Sequence, residues 1–254
     1  MTSPSPEKSG NAHHLAYSHL PTYLTSPTHP IALRTMELSD AKPWSSILAD
    51  PRNTEFEGDE VPTEMEHSKA VDILTRQRES AAQPTVVDAR TGKVIRGPSR
   101  VNMVILFCPT DNDDDDGGPT QQVIGLGGFG SLKDLGVEEK TAVPKEDREG
   151  KSRGPGTYLR VGDVGAMVNY EYRRRGFAVE AIRMAMEWGF RKASEGGLQL
   201  DKITSTTLLD NRPMVDLLEK KMGWKGTKRV AEELWEGKDE MFYEMTVEEW
   251  EARK

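Results

Sequence analysis

Apolar residues in this 254-residue chain alternate in short runs and recur every three or four positions in longer ones. The alternating runs predict strands at Ile31–Met36, Thr85–Ala89, Val101–Cys108, Gln122–Leu132, Tyr158–Val168, Lys202–Leu208, Trp224–Val230 and Glu240–Val247. A helix is expected after Ser39-Asp40, carrying Trp44, Ile47 and Leu48 and stopping at Asp50-Pro51. A second starts at Thr63 with Glu66 as a capping-box partner, and places Met65, Ala70, Val71 and Leu74 roughly on one face. Helical spacing also marks Ala178–Ala193, with Ala178, Ala181, Ile182, Ala185 and Gly189 on one face, and Arg212–Lys221. Strands and helices interleave along the chain, so the expected class is α+β with one mixed sheet.

Residues 1–29 are rich in Ser, Pro, Thr and His without a period, and are expected to form a disordered leader. The rest, 30–254, reads as a single domain with insertions near 110–120 and 133–156. The first is the acidic turn Asp111–Gly118 and the second the polar stretch Lys133–Pro155. His13, His14, His19 and His29 fall in the leader and only His67 near the expected fold, which excludes a catalyst built on several core histidines. A net charge of -8 argues against a nucleic-acid partner, and no apolar run approaches the ~20 residues of a membrane span. A single cysteine, Cys108, rules out an internal disulfide and suits a reducing compartment. With no signal-like N-terminal pattern, the expected location is the cytoplasm, the nucleus being the other candidate.

Two motifs lose their sharper reading on inspection. Gly125-Leu126-Gly127-Gly128-Phe129-Gly130 matches G-x-G-x-x-G, but that fingerprint needs a helix directly after the glycines. Here they lead into Ser131-Leu132-Lys133-Asp134, so a glycine-rich strand is the better account. Asn112 to Gly117 resembles the start of a calcium loop, yet Val123 stands where the bidentate Glu belongs. A solvated acidic loop is expected there, and no metal site. Cys108, at the end of an apolar run, reads as a small buried residue rather than a nucleophile.

Arg173-Arg174-Arg175-Gly176-Phe177-Ala178 carries more. It lies between the apolar run Val164–Val168 and the long helical pattern, so successive backbone N–H groups from Arg174 to Ala178 can curl around an anion at a helix start. Gly176 lets backbone approach a phosphate, and the arginines add charge where the helix dipole already favours an anion. The segment is read as a cradle for the pyrophosphate of coenzyme A.

In this setting the chain resembles the GNAT superfamily of N-acetyltransferases, within it the RimJ/RimL-like branch, from roughly Pro30 to Trp250. Ile31–Arg34 followed by Leu38–Ala41 looks like the family's opening strand and helix, and Val123–Gly125 like its third strand. Asp163–Val168 followed by Tyr172–Ala181 looks like the central strand and acyl-CoA loop, with R/Q-x-x-G-x-G/A met by Arg173, Gly176 and Ala178. Asn211 and then Leu217–Trp224 resemble the Asn-led helix and its E-K-x-G-F ending.

The resemblance implies a GNAT fold: a mixed, mostly antiparallel sheet of about six or seven strands flanked by about four helices. It implies transfer of acetyl from acetyl-CoA to a primary amine, of a small molecule or a protein N-terminus, by direct attack in a ternary complex. Coenzyme A would be held by backbone near Met167 and Val168, by Arg173, Arg174, Arg175, Gly176, Phe177 and Ala178, and by Asn211. Asp163 is the candidate general base, and no metal is implied. Three positions depart from the family pattern. Arg174 stands where a second glycine is frequent, Met214 where Ser is common, and Leu218 where some relatives place a proton-donating Tyr. The last two leave the general acid unassigned and open an alternative, a GNAT-fold module that binds acetyl-CoA without turnover.

Overall fold

The structure, a computed structural model, describes residues 14–56, 65–109, 121–136, 158–231 and 236–254. In chain order these form β1 (His14–Tyr17), β2 (Tyr23–Thr25), β3 (Ile31–Thr35), α1 (Ala41–Ala49), α2 (Pro51–Thr54) and α3 (His67–Ala82). Next come β4 (Thr85–Asp88), β5 (Val94–Arg96), β6 (Val101–Phe107), β7 (Gln122–Gly136), β8 (Tyr158–Val168) and α4 (Phe177–Phe190). The chain ends with β9 (Lys202–Leu208), α5 (Arg212–Asp216), β10 (Gly226–Val230), β11 (Asp239–Thr246) and α6 (Val247–Glu251).

Strands β3 and β6 are apolar at nearly every position because both their faces are buried. Ile31, Leu33, Val101, Met103 and Ile105 enter one core, while Ala32, Val104 and Leu106 enter a second on the opposite face. The larger core lies under α4, whose Ala181, Ile182, Ala185, Met186 and Trp188 are buried against the sheet. Gly189 lets that helix settle closely: a Cβ there would stand 2.6 Å from Phe129 Cζ. The smaller core joins Trp44 of α1 with Ala70 and Leu74 of α3.

The main sheet runs β10-β11-β9-β8-β7-β6-β3-β2, and β1-β4-β5 form a small second sheet. All described pairings are antiparallel except β8 with β9. The expected mixed, mostly antiparallel sheet is therefore present, with one strand more than predicted. The glycine-rich motif lies wholly inside β7, as a strand and not a nucleotide-binding turn.

Several expectations are corrected. Residues 14–29, placed in the disordered leader, form β1 and β2, and their His19 is buried. Polar composition hid them because their pairing is supplied by β4 and β3, remote in sequence. Thr85–Asp88 joins the small sheet instead of the large one. α3 starts at His67, with Glu66 at its N-cap and making no side-chain cap, and Thr63 lies outside the described residues. Lys133–Gly136, assigned to the second insertion, extend β7 against β8. Cys108 is half-buried and free. The acidic loop and the remainder of the second insertion lie outside the described residues. Among the described residues no helix is long and apolar enough to cross a membrane.

Candidate functional site

The parallel neighbours β8 and β9 pair only at Val161–Lys202, Gly162–Ile203 and Asp163–Thr204. Beyond that rung β8 continues to Val168 along β7 alone, so its other edge is open. Asn169 N–H turns to Ile124 O at 2.8 Å, on the β7 side. Alternation along the strand then points the peptide groups of Val168 and Ala166 into the open side. Of the two expected backbone donors, Val168 rather than Met167 thus faces the opening.

Asp163 stands at the closed end of this splay. The Thr204 hydroxyl donates to its Oδ1 at 3.0 Å, and burial pushes its carboxyl up to about 6 against that bond and the more distant Lys133 and Arg229. It does not line the groove described next.

After β8 the chain turns sharply. Asn169 Oδ1 accepts from Glu171 N, and Tyr172 N and Arg173 N bond back to Asn169 O and Tyr170 O at 2.8 and 3.2 Å. Arg174 and Gly176 then take positive φ, 64° and 81°. Left-handed residues alternating with right-handed ones turn successive N–H groups toward one point, a concave nest for an anion. The first bond of α4 runs from Glu180 N to Gly176 O, so the amides of Phe177, Ala178 and Val179 ahead of it have no helical acceptor. The hexapeptide is therefore a loop feeding a helix start, as the sequence predicts. Arg174 is the departure from glycine, and it carries the backbone torsion that glycine adopts freely.

The arginines divide their work. Arg173 is tied down, its Nε donating to Val168 O at 3.1 Å and its Nη1 pairing with Glu55 at 3.3 Å. Arg175 donates to Glu171 O and lies 5.2 Å over the Tyr172 ring. Arg174 is exposed and, among the described residues, has no ion-pair partner.

A groove of about 1170 Å³ opens beside this turn. Met167, Val168, Arg173, Arg174, Gly176, Phe177, Ala178 and Asn211 all line it, whereas Arg175 and Asp163 do not. The far wall is α5 and the turn after it. Asn211 caps α5, its Oδ1 accepting from Met214 N at 3.2 Å, which leaves only its Nδ2 for a ligand. Leu217–Lys221 close a wider π-type turn, with Met222 N bonded to Leu217 O at 3.1 Å. Leu218 is fully buried there, and Met214 lines the groove. Lys220 pairs with Asp216 at 2.9 Å, while Lys221 has no ion-pair partner among the described residues.

Of the groove residues that sequence reasoning did not name, Asn53 and His29 matter most. Asn53, buried in α2, accepts from Tyr170 N at 2.7 Å and donates to Ile47 O at 3.0 Å, pinning the turn to the first helices. Asp50-Pro51, expected only to stop the first helix, also starts α2 with Asp50 as its N-cap, and nothing local marks the partner of Asn53. His29 reaches the groove from the turn between β2 and β3. The alternation of Tyr23–Thr25 is too short to have signalled that strand.

The sequence profile of the "Acetyltransferase (GNAT) domain" matches residues 31–223. Comparison with curated proteins finds no match. Among solved structures the chain is similar to Mycobacterium smegmatis RimJ in complex with CoA-disulfide, at 18% identity and TM-score 0.54, covering 94% of this chain and 90% of that one. It is similar to RimL, the ribosomal L7/L12 α-N-protein acetyltransferase, in complex with coenzyme A, at 8% identity and TM-score 0.55 over 90% and 99% of the two chains. Spermidine N-acetyltransferase from Vibrio cholerae, in complex with CoA and spermine, aligns at 13% identity and TM-score 0.54 over 87% and 98%.

Proposed function

Because the chain belongs to the GNAT acetyltransferase domain family, we propose that it transfers acetyl from acetyl-CoA to a primary amine, of a small molecule or a protein N-terminus. The observation that carries this is the splay of β8 from β9 opening beside the nest at the head of α4. One element offers a strand edge with no β9 partner for the pantetheine amides, the other converging N–H groups for the diphosphate.

In this reading the amides of Phe177 and Ala178 and the backbone nest at Arg174–Gly176 hold the diphosphate, and the exposed Arg174 guanidinium adds only a weak, solvent-screened attraction. The Val168 and Ala166 edge aligns the thioester arm, and the Val168 N–H is the donor for the thioester oxygen as charge develops there. Asn211 Nδ2 contacts the arm from α5.

The acceptor amine must lose a proton, from an ordinary pKa near ~10.4 for a lysine-like amine or ~8 for an α-amine. Asp163, with its carboxyl raised to about 6 by burial, is a better base than an ordinary carboxylate and is ionised at neutral pH. Because Asp163 does not line the groove, it takes that proton through water. The thiolate leaves with an ordinary pKa near ~8.5 and collects its proton from solvent.

Release of free thiol from acetyl-CoA with polyamines, aminoglycosides and short peptides tests the reading and ranks acceptors. Coenzyme A at about 100 times its Kd should stabilise the fold by ~2.7 kcal/mol. No shift in Tm at millimolar coenzyme A overturns the proposal. Met214 in the groove and the buried Leu218 favour a second reading, a module that binds acetyl-CoA without turnover. A Tm shift with no thiol release for any amine selects it.

A further inference from the structure

The turn between β2 and β3 is organised by Ser26. Its hydroxyl oxygen accepts from Thr28 N and His29 N at 3.1 and 3.0 Å, and its hydrogen goes to Glu180 Oε1 at 2.6 Å. Glu180 is buried on the first turns of α4. Burial alone would raise its carboxyl, but bonds from Arg183 and Ser26 hold it below the usual carboxylate range. Residues 154 apart in sequence are thus latched together.

The latch brings His29 to the nest. Its Nδ1 shares a hydrogen with Thr28 Oγ1 at 2.9 Å, and its ring stands edge-on to Phe177 with centroids 6.0 Å apart. Nε2 is so near the loop that a Cβ on Gly176 would stand 2.7 Å from it. Glycine is required at 176 both for its torsion and for the imidazole. Nε2 has no hydrogen-bond partner among the described residues, and His29 is half-buried in the groove wall.

We propose that His29 binds the cofactor directly, its Nε2–H donating to a diphosphate oxygen of coenzyme A. Phosphate oxygens only accept, so Nε2 must carry the hydrogen. The Thr28 hydroxyl can give or take one at Nδ1, so both the neutral Nε2–H tautomer and the imidazolium suit the turn. The β2–β3 turn and the head of α4 then form two jaws on one diphosphate, the first offering a side chain and the second backbone. The proposal rests on the groove being the coenzyme A site.

Two variants separate contact from packing. His29→Phe keeps a ring against Gly176 and loses the donor; His29→Gln loses the ring and keeps an N–H. Dissociation constants are measured calorimetrically for coenzyme A and dephospho-coenzyme A, with Tm of the ligand-free variants as a check on folding. His29→Phe should weaken both ligands equally, by roughly tenfold to a hundredfold, as expected for one charge-assisted bond. His29→Gln should recover much of that loss. Unchanged affinity in His29→Phe, with the parent protein binding normally, overturns the contact and leaves the groove assignment standing. Weakening confined to coenzyme A overturns the diphosphate assignment in favour of the 3′-phosphate. No binding by the parent protein overturns the groove reading itself.

Discussion

The turn at 169–178 and the arm at 14–29 meet at the same groove but take their shapes differently. The turn is shaped from within, by short-range backbone bonds such as Tyr172 N to Asn169 O and Glu180 N to Gly176 O and by two left-handed residues. Asn53 and Glu55 tie it to α2 and its C-cap. The arm is shaped from outside, by strand pairing with β4 and β3 and by side chains reaching far along the chain. His19 Nε2 lies 2.6 Å from Thr85 Oγ1, its ring meets Trp188 edge-on at 5.7 Å, and Ser26 reaches Glu180. The anion site proposed at the turn is made of torsions, and such a site survives most changes of side chain but not the loss of a glycine. One made of side chains depends on every anchor that positions the arm.

The strongest way to break the contrast is Gly176→Val, because both constructions converge on that residue. A β-branched residue at φ 81° is strained, and its Cβ displaces His29. Losing two charge-assisted bonds of about 1.5–3 kcal/mol each should weaken coenzyme A by roughly a hundredfold to ten-thousandfold. Isothermal calorimetry reads this, and an affinity within a few-fold of the parent value contradicts the nest.

The arm is tested by acid. Burial, and secondarily Arg160, lower His19 to about 4, below its ordinary 6.5. The folded state binds that proton less readily than the unfolded chain, so the His19 contribution is complete above pH 6.5 and is lost as pH falls through about 4. It amounts to about 3 kcal/mol. Asp163 has the opposite sign: raised from 3.8 to about 6, its contribution is complete below pH 3.8 and is lost as pH rises through 6. This too is about 3 kcal/mol. Between pH 6 and 4 the two should nearly cancel in the parent protein. Thermal unfolding of Asp163→Asn should therefore show a steeper loss on acidification than the parent, with higher stability than the parent at pH 8. A flat acid limb in the variant contradicts the His19 anchor.

The smallest effect sharpens the role of the nest. Arg174→Gly should raise stability by about 0.5–1 kcal/mol, since glycine adopts a φ of 64° without the Cβ conflict. It should weaken coenzyme A less than about threefold, because an exposed cation contributes little. A tenfold loss would mean that the guanidinium, not the backbone, grips the ligand.

What the sequence determined follows from locality. Short apolar runs at Ile31–Thr35 and Val101–Phe107 placed strands of the main sheet, and the helical stripe through Ala181, Ile182 and Ala185 placed α4 on them. The order Arg173 to Ala178 placed the loop ahead of α4 that is proposed as the cradle, because a turn at a helix start is a matter of consecutive torsions. Tertiary structure decided what depends on partners far away. Strands β1 and β2 exist because β4 and β3 receive them, although their composition reads as disorder. Asp163 becomes an unusually basic carboxylate only once the sheet buries it beside Thr204. His29 becomes a groove residue only when Ser26 finds Glu180, since no local pattern can specify a hydrogen bond across 154 residues.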